Sequence, residues 1–112
     1  MSFKIETIPP FSRQLKRLAK KYPSIGKDLA ELGQDLLENP IQGSSLGNDC
    51  YKIRLPISSK GKGKSAGARL ITCVRIVNET ITLLTIFDKS DRDNISDKEL
   101  KNLMKYFEEE EM

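Results

Sequence analysis

Four basic side chains, carried on three predicted β-strands or at their ends, are the groups of this chain best suited to chemistry. Lys52 and Arg54 alternate within CYKIRLPI, Arg69 lies near the start of ARLITCVRIV, and Lys89 follows TITLLTIFD. Lysines and arginines grouped in this way can bind a phosphate and neutralise charge that develops on it. A lysine among other cations can also act as a base, because neighbouring positive charge disfavours its protonated form.

The chain contains no histidine, which excludes several kinds of active site. Neither a Ser-His-Asp nor a Cys-His arrangement can form, nor can a zinc site with imidazole ligands. Acid–base catalysis would have to use lysine, carboxylate, tyrosine or cysteine. We expect Cys50 and Cys73 to be reduced core residues, because the N-terminal residues do not have the pattern of a secretory signal. We therefore expect no metal and no cofactor.

Positive charge is concentrated in one stretch of the chain. The 112 residues carry a formal net charge of +3, but residues 50–75 hold seven lysines and arginines and no acidic residue. Such a stretch projects a positive potential that favours a polyanion as partner. A solvated basic face would have the same composition, and charge alone does not separate RNA, DNA and an acidic protein.

The first part of the chain predicts a strand followed by two helices. Residues 3–8 alternate as a short strand that Pro9-Pro10 would end, and Ser12 is placed to cap the next helix. Ser24 can begin a second helix, and Asn39-Pro40 is a stop signal. We expect these two helices to form an antiparallel hairpin over a sheet.

The second part predicts three consecutive strands and a last helix. Residues 42–49 are rich in Gly, Ser and Asn and predict a loop, whereas residues 50–57, 68–77 and 80–87 predict strands. Ser96-Asp97-Lys98-Glu99 has the pattern of a capping box. The order β-α-α-β-β-β-α favours one α+β domain, residues 1–112, with an antiparallel sheet and helices on one side of it. No apolar run is long enough to predict a membrane span.

This order of elements, together with three motifs, resembles the RelE/ParE toxin superfamily. The motifs are CYKIRL, GARLITCVRI and TLLTIFDKSDRDNIS, and they are most similar to the HigB/RelE-like branch. The resemblance implies a RelE-like fold with a mainly antiparallel twisted sheet, an N-terminal helical hairpin and a C-terminal helix. It also implies a toxin of a type II toxin–antitoxin system that cuts messenger RNA, usually in the ribosomal A site, without a metal.

The resemblance also assigns roles to the basic residues. Lys52 would be the base, Arg54 and Arg69 would stabilise the charged phosphorane, and Lys89 would be near the position of the general acid. Their positive charge, rather than the resemblance, suggests contacts with RNA or the ribosome for a second set of residues: Lys60, Lys62, Lys64, Arg75 and Arg92. Arg75 matches no role known in the family. The tyrosine that some relatives carry in the C-terminal region has no clear equivalent, because Ile95 and Ser96 occupy that neighbourhood.

The expected partners follow from the same resemblance: a cognate antitoxin, mRNA and the ribosome with its RNA, in the cytoplasm, with no membrane and no small-molecule cofactor. Two other functions stay open. One is a ParE-like poison of DNA gyrase, whose relatives share the fold but generally lack the basic catalytic set. The other is a non-catalytic domain that binds RNA or protein, in which the cations only dock a partner.

Overall fold

The computed structural model describes residues 2–60 and 67–110. The strands are β1 (Lys4–Thr7), β2 (Ser44–Gly47), β3 (Cys50–Leu55), β4 (Ala68–Arg75) and β5 (Thr80–Asp88). The helices are α1 (Pro9–Lys21), α2 (Ile25–Glu38) and α3 (Asp97–Glu110), and a 3-10 turn covers Ser58–Lys60. None of the helices in these ranges is long and apolar enough to cross a membrane.

The strands form one sheet in the order β1-β5-β4-β3-β2. β2, β3, β4 and β5 pair with their neighbours in antiparallel fashion, whereas β1 pairs with β5 in parallel, with Lys4 opposite Thr80. A parallel pair needs a long crossover, which the chain makes here through α1, α2 and the strands that follow them. The prediction of a mainly antiparallel α+β sheet is confirmed.

The centre of the sheet is also the centre of the core. All nine residues of β5 are buried, and β4 is buried from Ala68 to Val74. A strand with neighbours on both edges and helices on both faces leaves none of its side chains in water, which explains why β5 is apolar or β-branched throughout. A basic residue placed in such a strand must therefore find a partner inside the protein.

Helices cover both faces of the sheet, whereas the sequence predicted them on one side. The Tyr22 hydroxyl, at the end of α1, donates a hydrogen bond to the Asp88 carboxylate of β5 at 2.5 Å. On the other face, the Cys50 thiol of β3 lies 3.8 Å from the Met104 sulfur of α3. The prediction was wrong because the apolar stripe of α3 packs against this second face of the sheet. Strand alternation alone does not show which face a helix covers.

Helix α1 begins four residues earlier than predicted. Its first residue is Pro9, with Ile8 as the N-cap, and Ser12 lies inside the helix. Proline is tolerated at the first positions of a helix, because an N–H group there would have no intrahelical acceptor whichever residue carried it. Pro9-Pro10 therefore ends the strand, as expected, but also starts the helix.

Strand β2 lies within residues 42–49, which the composition predicted to be a loop. Gly47, Asn48 and Asp49 have φ values of 82°, 55° and 62°, which turn the chain sharply back along the edge of β3. Ser44 then pairs with Lys52. Small polar residues suit an exposed edge strand of this kind, so their composition did not exclude pairing.

Strand β4 is two residues shorter than predicted. It ends at Arg75, and Ile76 and Val77 belong to the turn before β5, with exposed fractions of 59% and 97%. Glu79 closes the turn with a φ of 50°. The alternating apolar pattern therefore continues past the last paired residue, and hydrophobicity overestimates the length of the strand.

Candidate active site

The register of β3 and β4 brings three of the predicted site residues to one face of the sheet. Arg54 lies directly opposite Arg69, and Lys52 lies opposite Ile71. The Val74 N–H donates to the Asp49 carbonyl at 2.9 Å, so the alternation of pairs makes Arg54 and Arg69 a non-hydrogen-bonded pair. Side chains of such pairs are the closer ones, and like charges opposite each other destabilise a sheet. A compensating anion is therefore expected beside them.

Asp93, in the loop between β5 and α3, supplies that anion. The Arg69 Nε donates to the Asp93 Oδ1 at 2.9 Å. Lys52 reaches the same residue, because its Nζ donates to the Asp93 backbone carbonyl at 3.0 Å. The Arg69 side chain is only 2% exposed, whereas the Asp93 side chain is 58% exposed. The guanidinium is thus enclosed by the protein, whereas the carboxylate that pairs with it is largely exposed to solvent.

The electrostatics of Asp93 show how the cations are arranged. Desolvation acts to raise the pKa of Asp93, whereas the hydrogen bond and the charge of Arg69 act to lower it. The charges of Lys52 and Lys89 lower this pKa further, and the net shift is downward. Three of the four predicted catalytic residues therefore act on one carboxylate. The arrangement favours a bound anion at that position.

Lys89 is placed by the exit of β5. Its backbone N–H donates to the Gly67 carbonyl at 3.1 Å, which joins the end of β5 to the start of β4, two residues before Arg69. A Cβ at Gly67 would lie 2.1 Å from the Leu55 carbonyl oxygen, so only glycine fits this crossing. Lys89 is half-buried beside the cation cluster that Lys52, Arg54 and Arg69 form.

Asp88 fixes the loop that carries Lys89 and Asp93, and the sequence did not reveal this role. Its buried carboxylate accepts hydrogen bonds from the Tyr22 hydroxyl and the Ser90 N–H, and Lys21 lies 3.7 Å away. An acidic residue that ends an apolar strand is the one signal that could have indicated a buried anchor. Its partner on α1 could not be inferred from spacing.

Arg92 lies on the same loop and binds two other residues. Its guanidinium carbon is 4.3 Å from the centroid of the Phe87 ring, and its two terminal nitrogens donate to the Glu99 carboxylate at 2.7 and 2.9 Å. The Glu99 N–H donates to the Ser96 Oγ at 3.1 Å, so the predicted serine cap of α3 is present. The hydrogen bonds from Arg92 lower the pKa of Glu99.

The remaining predicted site residues are Arg54, Arg75 and the lysines at positions 60, 62 and 64. Arg54 is exposed, and with Lys52, Gly43 and Ser44 it lines a cavity of about 330 Å³ beside the cluster. Arg75 ends β4, six residues from Arg69, or about 20 Å along a strand. It lies away from the other cations, so we do not propose that Arg75 contacts RNA or the ribosome. The remaining predicted contacts lie outside the described residues, namely Lys62, Lys64 and the side chain of Lys60.

The two cysteines are free and buried, as predicted. Cys50 lies opposite Cys73 across β3 and β4. The hydrogen bond with the Cys73 thiol, together with burial, strongly raises the pKa of Cys50. A thiol of raised pKa is a poor nucleophile and a poor acid at neutral pH, so the pair belongs to the core.

Comparison with known proteins identifies the family of this chain. The family model described as the RelE toxin of the RelE/RelB toxin–antitoxin system matches residues 11–110. No curated protein sequence matches the chain.

Two solved structures of the E. coli toxin RelE have the same fold. A doubly substituted mutant in the free state has a TM-score of 0.58 and 23% identity, and the alignment covers 82% of this chain and 88% of that one. The isolated toxin in a P21 crystal form has a TM-score of 0.55 and 20% identity, with 94% and 98% covered. Because the family model extends over nearly the whole chain, the protein belongs to the RelE toxin family and is a toxin of a toxin–antitoxin system.

Proposed function

We propose that the protein is an endoribonuclease that cuts mRNA on the ribosome and thereby inhibits translation. The observation that carries the proposal is Arg69, which is buried in a central strand opposite Arg54 and bound to the largely exposed carboxylate of Asp93. A buried guanidinium is costly unless it is paired, so it is retained where its charge is needed. The carboxylate marks a position that an RNA phosphate would occupy.

In the proposed reaction the 2′-oxygen of one nucleotide attacks the adjacent phosphorus and the bond from phosphorus to the 5′-oxygen breaks. The products are a 2′,3′-cyclic phosphate and a 5′-hydroxyl. Lys52 accepts the proton of the 2′-hydroxyl, and Lys89 donates a proton to the leaving 5′-oxygen. The route therefore depends on protein side chains alone.

Arg54 and Arg69 would act on the charge of the transition state. The phosphorane carries more negative charge on its equatorial oxygens than the diester does, so a fixed cation stabilises it more than the substrate. Arg69 is fixed because its Nη1 also donates to the Ala68 carbonyl at 3.1 Å. Arg54 is exposed, which would let it follow the phosphate.

Asp93 must leave Arg69 before a phosphate can bind there. Its side chain is 58% exposed and lies on a loop, so the exchange needs no opening of the core. The phosphate would replace the charge of the carboxylate, and Arg69 would stay paired throughout. We therefore infer that the free protein holds its site occupied by its own carboxylate.

The proposed partners are mRNA, the ribosome and a cognate antitoxin, which would place the protein in the cytoplasm. The basic residues of the segment around Lys60, Lys62 and Lys64 suit the phosphates of ribosomal RNA, since contacts of this kind depend on charge rather than sequence. The family model supports an antitoxin partner in general, because it describes one half of a toxin–antitoxin pair.

Expression without an antitoxin, followed by mapping of mRNA ends, tests the proposal. We expect growth arrest and new mRNA ends in phase with codons, both lost in Arg69→Ala and both kept in Arg75→Ala, which removes the same charge at the other end of β4. DNA damage with intact mRNA would instead indicate a gyrase poison. Growth and mRNA unaffected by the folded protein would contradict the toxin activity itself.

A further inference from the structure

Arg92 is held more rigidly than a surface arginine needs to be. One side of its guanidinium lies over the Phe87 ring, and its edge is bound to both oxygens of Glu99. Phe87 is 7% exposed, so the ring is fixed in the sheet, and Glu99 is fixed on the first turn of α3. The planar group thus has a defined orientation, with both anchors in regular secondary structure.

Part of the Arg92 side chain remains exposed to solvent. It is 39% exposed, although its guanidinium lies over the Phe87 ring and is bound to Glu99. A planar guanidinium stacks on aromatic rings, and nucleobases stack on guanidinium planes as they do on aromatic side chains. A group fixed in orientation loses little conformational entropy when a base stacks on it.

The position of this group relative to the cation cluster indicates which base it could bind. Phe87, beneath Arg92, is directly opposite Arg69 in the neighbouring strand. Arg69 and Arg92 are therefore next to each other at one end of the sheet, joined through the loop that also carries Asp93. A nucleotide whose phosphate is bound at Arg69 would have a neighbouring base within reach of Arg92.

We propose that Arg92, held over Phe87 by Glu99, is a stacking platform for a nucleobase adjacent to the phosphate bound at Arg69. The proposal rests on the proposed function, because the phosphate site is the one that function assigns. It gives the chain a base-binding side chain in a region where Ile95 and Ser96 offer none. A base bound there would be oriented by the plane of Arg92 rather than by its charge.

A purely structural role for Arg92 is the competing explanation. The ion pair with Glu99 joins the loop to α3, and an exposed pair of this kind is worth about 0–1 kcal/mol. That role needs the charge of residue 92 but no base stacked on the guanidinium. The two roles therefore differ in whether binding depends on a base being present in the RNA.

The test measures binding of short RNAs whose 2′-hydroxyls are methylated, so that they cannot be cut. One RNA is complete, and the others each lack a single base at successive positions. We expect wild-type protein at low salt to bind the complete RNA about tenfold more tightly than the RNA lacking the stacked base, within the range found for base stacking. Fluorescence anisotropy provides the affinities.

The variants separate the plane of Arg92 from its charge. Arg92→Lys and Arg92→Ala should both lose the preference for the complete RNA, although the lysine keeps the charge. Arg17→Ala, which removes an exposed arginine from α1, should bind more weakly overall but keep the preference. If Arg92→Ala fails to fold, the lysine variant carries the test.

Three results would overturn the platform: a preference retained in Arg92→Lys, no preference at any position in the wild type, or no binding of the complete RNA. None of them depends on cleavage. If the base preference is found but ribosomes show no cut mRNA, the platform stands and the nuclease proposal fails. If mRNA is cut but the preference is absent, the nuclease proposal stands and the platform fails.

Discussion

The two ends of strand β4 each carry an arginine, and the two arginines have opposite surroundings. Arg69 is 2% exposed, lies opposite Arg54 and is paired with a carboxylate from the loop that follows β5. Arg75 is half-buried at the hairpin tip, next to Ile76 and to Val77, which is 97% exposed. The same residue type thus occurs once within a converging set of groups and once at the margin.

The difference shows what makes a basic residue useful for chemistry in this fold. At the Arg69 end, β3, β4 and β5 are joined to a loop that brings a carboxylate and two lysines to one place. At the Arg75 end, the turn formed by residues 76–79 connects β4 directly to β5. Catalytic groups need fixed positions relative to one another, which the first end offers.

The largest expected effect is at the Arg69 end of the sheet, on the rate of mRNA cleavage. Lys52→Ala removes the proposed base, so the single-turnover rate should fall by a factor of about 10²–10⁴. Lys4→Ala, an exposed lysine of the edge strand β1, should stay close to wild type. A Lys52→Ala protein that cuts at the wild-type rate would remove Lys52 from the proposed mechanism.

The second comparison uses two acidic residues, Asp88 at the end of β5 and Glu79 just before its start. Asp88→Asn weakens bonds from Tyr22 and Lys21 in a buried setting, so the free energy of unfolding should fall by about 2 kcal/mol. Glu79→Gln, at the exposed turn, should change it by less than about 0.5 kcal/mol. Urea denaturation measures both, and equal losses would show that the loop anchor is no stronger than the turn.

The pH dependence of stability tests the contact between Asp28 of α2 and Ser58, which follows β3. Burial acts to raise the pKa of Asp28, but hydrogen bonds from Ser58 and Ser24, together with the charge of Lys27, leave the net pKa below normal. A lowered pKa in the folded state stabilises the protein above about pH 4, the unfolded value. That contribution is lost as the pH falls through the folded value.

Asp28→Asn should therefore lower the free energy of unfolding at neutral pH by about 1–2 kcal/mol, and by much less near pH 3. The Ser58 N–H and hydroxyl donate to the two oxygens of this carboxylate at 2.9 and 2.5 Å, so the loss is specific to the charged form. Denaturation at the two pH values gives the comparison. A difference independent of pH would exclude the charge as the cause.

The smallest expected effect concerns competition between Asp93 and a phosphate for Arg69. Asp93→Asn weakens the competitor, so affinity for an uncleavable RNA should rise about threefold, as suits one exposed ion pair. Asp91→Asn makes the same charge change two residues earlier and serves as the matched control. Equal gains in both variants would mean that net charge alone is responsible.

Much of the fold could be predicted because local patterns agree with it. The alternation in CYKIRL and in residues 80–87, the stop at Asn39-Pro40 and the serine cap before α3 all depend on near neighbours in the chain. β2 and the second covered face could not be predicted, because they depend on turns with positive φ and on which surface α3 contacts. Those are properties of the assembled sheet.

The candidate site divides in the same way. Lys52, Arg54 and Arg69 could be placed on one face once β3 and β4 were taken as neighbours, since pairing follows from alternation. Asp88 and Asp93 were missed, because loop residues have no periodicity and their contacts are set by the path of the chain. Each contacts residues more than 20 positions away, and no short spacing encodes such contacts.

The most direct test of the central claim is a single-turnover cleavage assay on ribosomes programmed with a defined mRNA. We expect the wild type to give one cut within the A-site codon, leaving a 2′,3′-cyclic phosphate. Arg69→Ala should cut at least about 10²-fold more slowly, and Arg75→Ala should match the wild type. Cleavage by folded Arg69→Ala at the wild-type rate, or no cleavage by folded wild type, would contradict the assignment of this site.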